Sequence, residues 1–136
     1  MVQAGGMSLR CVIVDDNHDF LRAAGDLLGH EGISVVGCAS TGAEAYRACL
    51  ELSPDIVLID IDLGDETGID VARRLADQHR RAEEPRMILI SAYSEDDFAD
   101  MIADSPAISF LAKPALSGTA IRGILDRARG SIVSEP

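Results

Sequence analysis

A chain of 136 residues can hold one domain with a substantial core, and 47% apolar against 26% charged residues fits a globular protein rather than a disordered one. No apolar run approaches the ~20 residues of a spanning helix, and the opening Met1-Val2-Gln3-Ala4-Gly5-Gly6-Met7 lacks the apolar core of a signal peptide, so a cytoplasmic protein with no membrane partner is expected. The net charge of −11 argues against direct nucleic-acid binding and suits a protein that holds a cation or docks on a basic partner.

Residues 1–8 read as a flexible tail, 9–130 as the domain and 131–136 as a C-terminal tail. Leu9-Arg10-Cys11-Val12-Ile13-Val14 is an apolar run terminated by Asp15-Asp16-Asn17. A helix follows from about His18 to His30, with Phe20, Leu21, Ala24, Leu27 and Leu28 on one face and Gly32 as its stop. Ile33-Ser34-Val35-Val36-Gly37-Cys38-Ala39 is a second, less apolar strand expected near an edge. Thr41-Gly42-Ala43-Glu44 is a capping box opening a helix to about Leu52, with Tyr46, Cys49 and Leu50 inward. Ile56-Val57-Leu58-Ile59 then runs into Asp60-Ile61-Asp62, a short apolar run between turn signals that suits a strand buried on both faces.

The next helix spans about Gly68 to Gln78, with Ile69, Ala72, Leu75 and Ala76 inward and arginines 73, 74, 80 and 81 at its far end. A polar linker, 80–85, precedes Met87-Ile88-Leu89-Ile90, a strand ending at Ser91-Ala92-Tyr93. Ser94-Glu95-Asp96-Asp97 caps a short helix striped with Phe98, Met101 and Ile102. Ile108-Ser109-Phe110-Leu111-Ala112 is the fifth strand, ending at Lys113-Pro114, and a last helix from Ser117 is stopped by Gly130. Cys11, Cys38 and Cys49 show no C-x-x-C spacing and are expected to be buried, reduced thiols.

Strict strand–helix alternation predicts an α/β fold: a five-stranded parallel sheet, doubly wound, with helices on both faces. Parallel strands end on one side, and four of these five deliver a polar group there: Asp15 and Asp16, Asp60 with Asp62, Ser91, and Lys113. Each alone has an ordinary explanation as a turn former, a cap or a solvated terminus. Together, in this order, they describe a site. Crowded carboxylates repel one another and call for a hard cation such as Mg²⁺. A metal, an ammonium and a hydroxyl around one carboxylate are what phosphoryl transfer onto that carboxylate requires.

Val14-Asp15-Asp16, Leu58-Ile59-Asp60, Ser91-Ala92 and Lys113-Pro114 resemble the signature of receiver domains of two-component response regulators. The resemblance implies a flavodoxin-like three-layer sandwich with strand order 2-1-3-4-5. It implies that Asp60 accepts a phosphoryl group from a sensor histidine kinase or phosphotransfer protein. Asp16, Asp60 and the backbone carbonyl of Asp62 would ligate Mg²⁺, assisted by Asp15, while Ser91 and Lys113 contact the phosphoryl oxygens. Phe110 would be a switch aromatic that turns inward as Ser91 moves. Lys113-Pro114 would carry a cis peptide. The output would leave through the face of the fourth helix, fifth strand and fifth helix, with Phe98, Met101, Phe110 and Arg122 as candidates, and phosphorylation could bring homodimerisation. Such a protein is a switch rather than an enzyme, limited to its own phosphorylation and slow autodephosphorylation.

Two departures stand out. Gly64 occupies the place where the family usually has proline, which is expected to loosen the loop after Asp60. Asp62 and Tyr93 stand two residues past Asp60 and Ser91, positions whose side chains in the family flank the path of water attacking the phosphorylated acceptor. A rival reading takes Asp60-Ile61-Asp62 as the D-x-D of a haloacid-dehalogenase-like phosphatase, but Gly64 replaces the Thr or Val expected there and no cap insertion is present. Nothing basic or helix-turn-helix-like comes after Ser117, so a stand-alone receiver is expected, with a receiver fragment of a DNA-binding transcriptional regulator as the alternative.

Overall fold

The strand Ile56–Asp60 is buried at every position, and the other elements are laid around it. The computed structural model describes residues 8–78, 85–93 and 95–133. The expected N-terminal tail up to Met7, most of the polar linker with Arg80 and Arg81, the Ser94 cap and residues 134–136 lie outside the described residues. The strands are β1 (Leu9–Val14), β2 (Ile33–Ala39), β3 (Ile56–Asp60), β4 (Arg86–Ser91) and β5 (Ser109–Ala112). The helices are α1 (His18–His30), α2 (Gly42–Leu52), α3 (Gly68–Gln78), α4 (Ala99–Ala103) and α5 (Gly118–Val133). All strand pairs are parallel, in the order β2-β1-β3-β4-β5 that the resemblance implies.

The pleat divides each strand between two cores. Val12, Val14, Val57, Ile59, Met87 and Leu89 face one side, where α2 and α3 supply Ala45, Cys49, Val71, Ala72 and Leu75. Cys11, Ile13, Ile56, Leu58, Ile88 and Ile90 face the other, against Leu21, Ala24 and Leu28 of α1 and Ile121 and Ile124 of α5. A parallel sheet covered on both faces is why the strands read as unbroken apolar runs.

The helices bury narrower stripes than the sequence suggests. In α2 the buried set is Gly42, Ala45 and Cys49, spaced three and four apart; Leu50 lies one step round and is 63% exposed. Leu27 is likewise exposed beside the α1 stripe of Leu21, Ala24 and Leu28. Cys38 is exposed, contrary to expectation, because β2 is an edge strand covered less completely than its neighbours. Burial pushes the thiols of Cys11 and Cys49 up to about 12 and about 11, so both are inert as nucleophiles near neutrality.

Strand β2 also carries a bulge: Cys11 pairs with Val35 but Val12 with Gly37, leaving Val36 as the extra residue. Such kinks blunt an open sheet edge. At the other edge α4 is a single short helix behind a 3-10 turn, Glu95–Phe98, and has no buried residue; Met101 is exposed, while Phe98 and Ile102 are half-buried. Gly130 does not end α5, which runs on to Val133, so 131–133 are helical rather than tail. A glycine costs a helix interior about 1 kcal/mol, too little by itself to stop it without a cap.

Two glycines give opposite expectations. A Cβ on Gly68 would meet the Asp60 carbonyl oxygen at 2.0 Å. Gly68→Ala is therefore expected to destabilise the protein by about 2–3 kcal/mol through forced backbone displacement. Gly25, inside α1, has nothing within 4 Å of the added atom. Gly25→Ala is expected to stabilise by about 0.5–1 kcal/mol. Urea denaturation of both variants checks the pair.

Candidate functional site

The sheet register assembles the site. Val14 pairs with Ile59, so the next residues of β1 and β3, Asp15 and Asp60, leave the sheet side by side. Ser91 pairs with Ala112, so Lys113 emerges one step beyond the end of β4. The order reverses between β1 and β3, which is where open α/β sheets form a crevice at their carboxyl ends.

Across that crevice the Lys113 Nζ lies 2.8 Å from Asp15 Oδ2 and 3.0 Å from Asp60 Oδ2. Asp15 is 0% and Asp60 6% exposed. The second oxygen of each carboxylate is held the same way, by an amide two residues on. Asn17 N–H donates to Asp15 Oδ1 at 2.9 Å, and Asp62 N–H donates to Asp60 Oδ1 at 2.9 Å. These turns fix both side chains before any ligand arrives. Asn17 also caps α1, its Oδ1 accepting the Phe20 N–H.

Burial raises the Asp60 carboxyl above the ordinary range, and the charge on Asp15 adds to it; the Asp62 amide and Lys113 work the other way without prevailing. Burial alone would lower the Lys113 ammonium, but its bonds to Asp15 and Asp60 outweigh that and raise it, so it remains a cation.

Asp16 is exposed at the rim. One oxygen each from Asp15, Asp16 and Asp60 lie within 4.8 Å of one another. The fully buried Asp15 Oδ2 has no hydrogen-bond partner apart from the lysine ion pair. One ammonium does not balance three carboxylates, and an all-oxygen donor set fits a hard divalent cation. Asp62 stands apart: its side chain is exposed and its Oδ1 accepts the Gly64 N–H at 3.0 Å.

The loop after Asp60 is closed rather than loose. Gly64 sits at φ +80°, a conformation that proline cannot adopt. Leu63 N–H donates to Glu66 O, Gly68 N–H to Ile61 O, and Thr67 Oγ1 accepts from Asp70 N–H at the start of α3. Glu66 Oε2 accepts the Gly42 N–H at 2.8 Å, tying the loop to the first turn of α2. Hydrogen bonds thus supply the order that a proline would give.

Ser91 is 2% exposed, and its Oγ accepts the Tyr93 N–H at 3.0 Å. Tyr93 itself is exposed. Phe110 pairs with Leu89 in the sheet and is buried with the α2–α3 core, so its inward position is the one seen here. Every peptide bond among the described residues is trans, Lys113–Pro114 included, against the cis bond that the resemblance implies. Pro114 instead sits in a 3-10 turn, Lys113–Ala115, closed by Leu116 N–H to Lys113 O, where its fixed φ is accommodated. Arg122 does not stand with Met101: its guanidinium donates to Glu31 O at 2.7 Å, beside the bond from Gly118 N–H to the Glu31 carboxylate. Phe20 packs against the core as the sequence places it, and its ring centroid also lies 4.5 Å from Lys113 Nζ. The only hint in the sequence is its place one turn into the helix that comes after Asp15.

A family model described as the response regulator receiver domain matches residues 11–124. Among curated proteins the chain is 29% identical over 130 residues to the transcriptional regulatory protein LiaR of Bacillus subtilis, covering 94% of this chain and 58% of LiaR. It is 33% identical over 109 residues to a protein-glutamate methylesterase/protein-glutamine glutaminase of Haloarcula marismortui, covering 78% of this chain and 28% of that one. The chain thus spans little more than half, or less, of these relatives. Among solved structures, a LuxR-family two-component response regulator from Aurantimonas superposes with a TM-score of 0.77 at 28% identity, over 88% of this chain and 86% of the other. The receiver domain of the response regulator NarL from Mycobacterium tuberculosis does so at 0.75 and 27%, over 90% and 98%.

Two substitutions probe the electrostatics. Lys113→Met leaves buried carboxylates without their cation and is expected to cost about 3 kcal/mol in urea denaturation without divalent ions. Asp60→Asn removes a charge that the fold disfavours. Because the Asp60 carboxyl titrates higher folded than unfolded, its ionised form lowers stability above that range, and the penalty fades as pH falls through the raised folded value. Asp60→Asn is therefore expected to be more stable than the parent at neutral pH, with the gap closing in acid. A gap that widened on acidification would contradict this.

Proposed function

The chain belongs to the response regulator receiver domain family, and from that membership we propose that it is a phosphorylation-dependent switch whose acceptor is Asp60. The observation that carries this is the Lys113 ammonium bridging Asp15 and Asp60 at the sheet edge, with Asp16 at the rim. In the proposed step an Asp60 oxygen attacks the phosphorus of a kinase or phosphotransfer-protein phosphohistidine. The P–N bond breaks, and its electron pair returns to the imidazole nitrogen, which takes up a proton from solvent. Lys113 tracks the developing charge onto a phosphoryl oxygen. Ser91, whose oxygen already accepts the Tyr93 amide, donates its O–H hydrogen bond to another.

Asp15, Asp16, Asp60 and the backbone carbonyl of Asp62 would hold Mg²⁺. Bound there, the ion offsets negative charge on the phosphoryl oxygens.

A phosphatase reading of Asp60-Ile61-Asp62 needs the second acid beside the first. Here its carboxylate caps Gly64 instead, which favours a switch over a turnover enzyme. Output through α4, β5 and α5, with Phe98, Met101 and Phe110 as candidates, and homodimerisation on phosphorylation belong to the same proposal. So does a cytoplasmic site of action, where such kinases present their phosphohistidine; no helix among the described residues is long and apolar enough to cross a membrane.

Intact-mass spectrometry after incubation with acetyl phosphate and Mg²⁺ is expected to show one phosphoryl adduct, stable in acid and labile in base, absent from Asp60→Asn. An adduct on Asp60→Asn would overturn the acceptor assignment. Millimolar Mg²⁺ is expected to raise the melting temperature of the parent and to lose that effect in Asp16→Asn.

A further inference from the structure

Lys113 is gripped on three sides, and only two of them are acidic. Asp15 Oδ2 and Asp60 Oδ2 take up the ammonium at 2.8 and 3.0 Å, while the half-buried Phe20 ring lies 4.5 Å from Nζ, within cation–π range. The ring is itself well fixed. Phe20 stands in the first turn of α1, its own N–H bonded to Asn17 Oδ1, and the Asn17 N–H holds Asp15. Phe20 and Asp15 therefore share one anchor.

We propose that Phe20 is a positioning residue for phosphoryl transfer: its ring confines the Lys113 ammonium to the line between Asp15 and Asp60. The inference rests on the acceptor reading of Asp60. Lysine has a long, flexible stem and a strongly hydrated head, so an ammonium at a crevice rim ordinarily swings into water. An aliphatic wall would exclude that water but offer nothing to the charge. An aromatic face does both, because its negative quadrupole attracts the cation while its bulk keeps solvent away. The remaining freedom points to wherever negative charge appears on Asp60. Phe20 acts through Lys113, the charged group its ring meets.

The test is a double-mutant cycle read as acetyl phosphate–driven phosphorylation rates with Mg²⁺, measured by intact mass in the cold. Phe20→Leu keeps an apolar side chain and removes the π face. It is expected to slow the maximal rate about three- to tenfold, with little change in the acetyl phosphate concentration giving half that rate. Phe20→Tyr is expected to restore it. In a Lys113→Gln background, Phe20→Leu is expected to add no further loss. An equal loss in both backgrounds, or no loss in either, overturns the proposal. A second measurement needs no variant to fold: in the unmodified protein the Lys113 ε-methylene protons are expected to be shifted upfield by the ring current, and ordinary lysine positions would overturn the contact. If the unmodified protein takes up no phosphoryl group, the acceptor reading falls and the positioning role with it. That failure is distinct, because every rate is then silent while the ring-current shift still reports whether Phe20 and Lys113 meet.

Discussion

One ammonium shared by two buried carboxylates is the constraint on which the site depends. Taking such charges out of water costs several kcal/mol each, and a buried ion pair often fails to recover that cost. The cluster is therefore poor evidence of stability and better evidence of a maintained charge state. Lys113 stays protonated because both acids hold it; Asp60 is held less comfortably, its ionised form disfavoured by burial and by Asp15. With Asp16 added at the rim, the crevice carries more negative than positive charge. That excess suits a bound cation, which would also offset the further negative charge that a phosphoryl group would bring to Asp60.

The register of the sheet makes this arrangement unavoidable, and that is why so much of it was legible. Unbroken apolar runs mean strands covered on both faces. Such strands are parallel, and parallel strands present their last residues on one side. Asp15, Asp60, Ser91 and Lys113 could thus be placed together without a single distance. What the linear pattern could not supply was lateral position. Leu50 and Leu27 are apolar residues beside apolar neighbours, and only the narrowness of the packed stripe leaves them in solvent. Cys38 looked like a core thiol because the pattern of β2 does not record how thinly its sheet edge is covered. Phe20 does pack against the core as its place on the α1 face implies, but a helical face does not show that a lysine more than ninety residues away lies over the ring.

Gly64 shows a different kind of limit. Read singly, a glycine in place of proline loosens a loop. The structure instead uses its positive φ to turn the chain sharply, and bonds from Gly64 to Asp62, Leu63 to Glu66 and Gly68 to Ile61 close the loop on either side of the turn. Glu66 then carries the anchor to Gly42 of α2, where a side chain on the glycine would collide with the carboxylate. Loop order is a property of the set of partners, and a substitution at one position does not reveal it.

These contacts also distribute stiffness unevenly around Asp60. Behind it, Gly68 presses against its carbonyl, and the loop is pinned to α2; beside it, Asp15 is locked by Asn17. Movement there would break the Asn17–Asp15 or Glu66–Gly42 bond or displace Gly68 from the Asp60 carbonyl. On the other side, among the described residues, the Ser91 hydroxyl oxygen accepts one bond, from the Tyr93 N–H, and α4 beyond it begins in a 3-10 turn and buries no residue of its own. Elements with few buried contacts open at the smallest free-energy cost. A charge added at Asp60 would meet a rigid wall toward α2 and α3 and a more compliant one toward the loop after β4 and toward α4. That difference in restraint is a physical argument for the proposed output past Ser91 over one through α1 or α2.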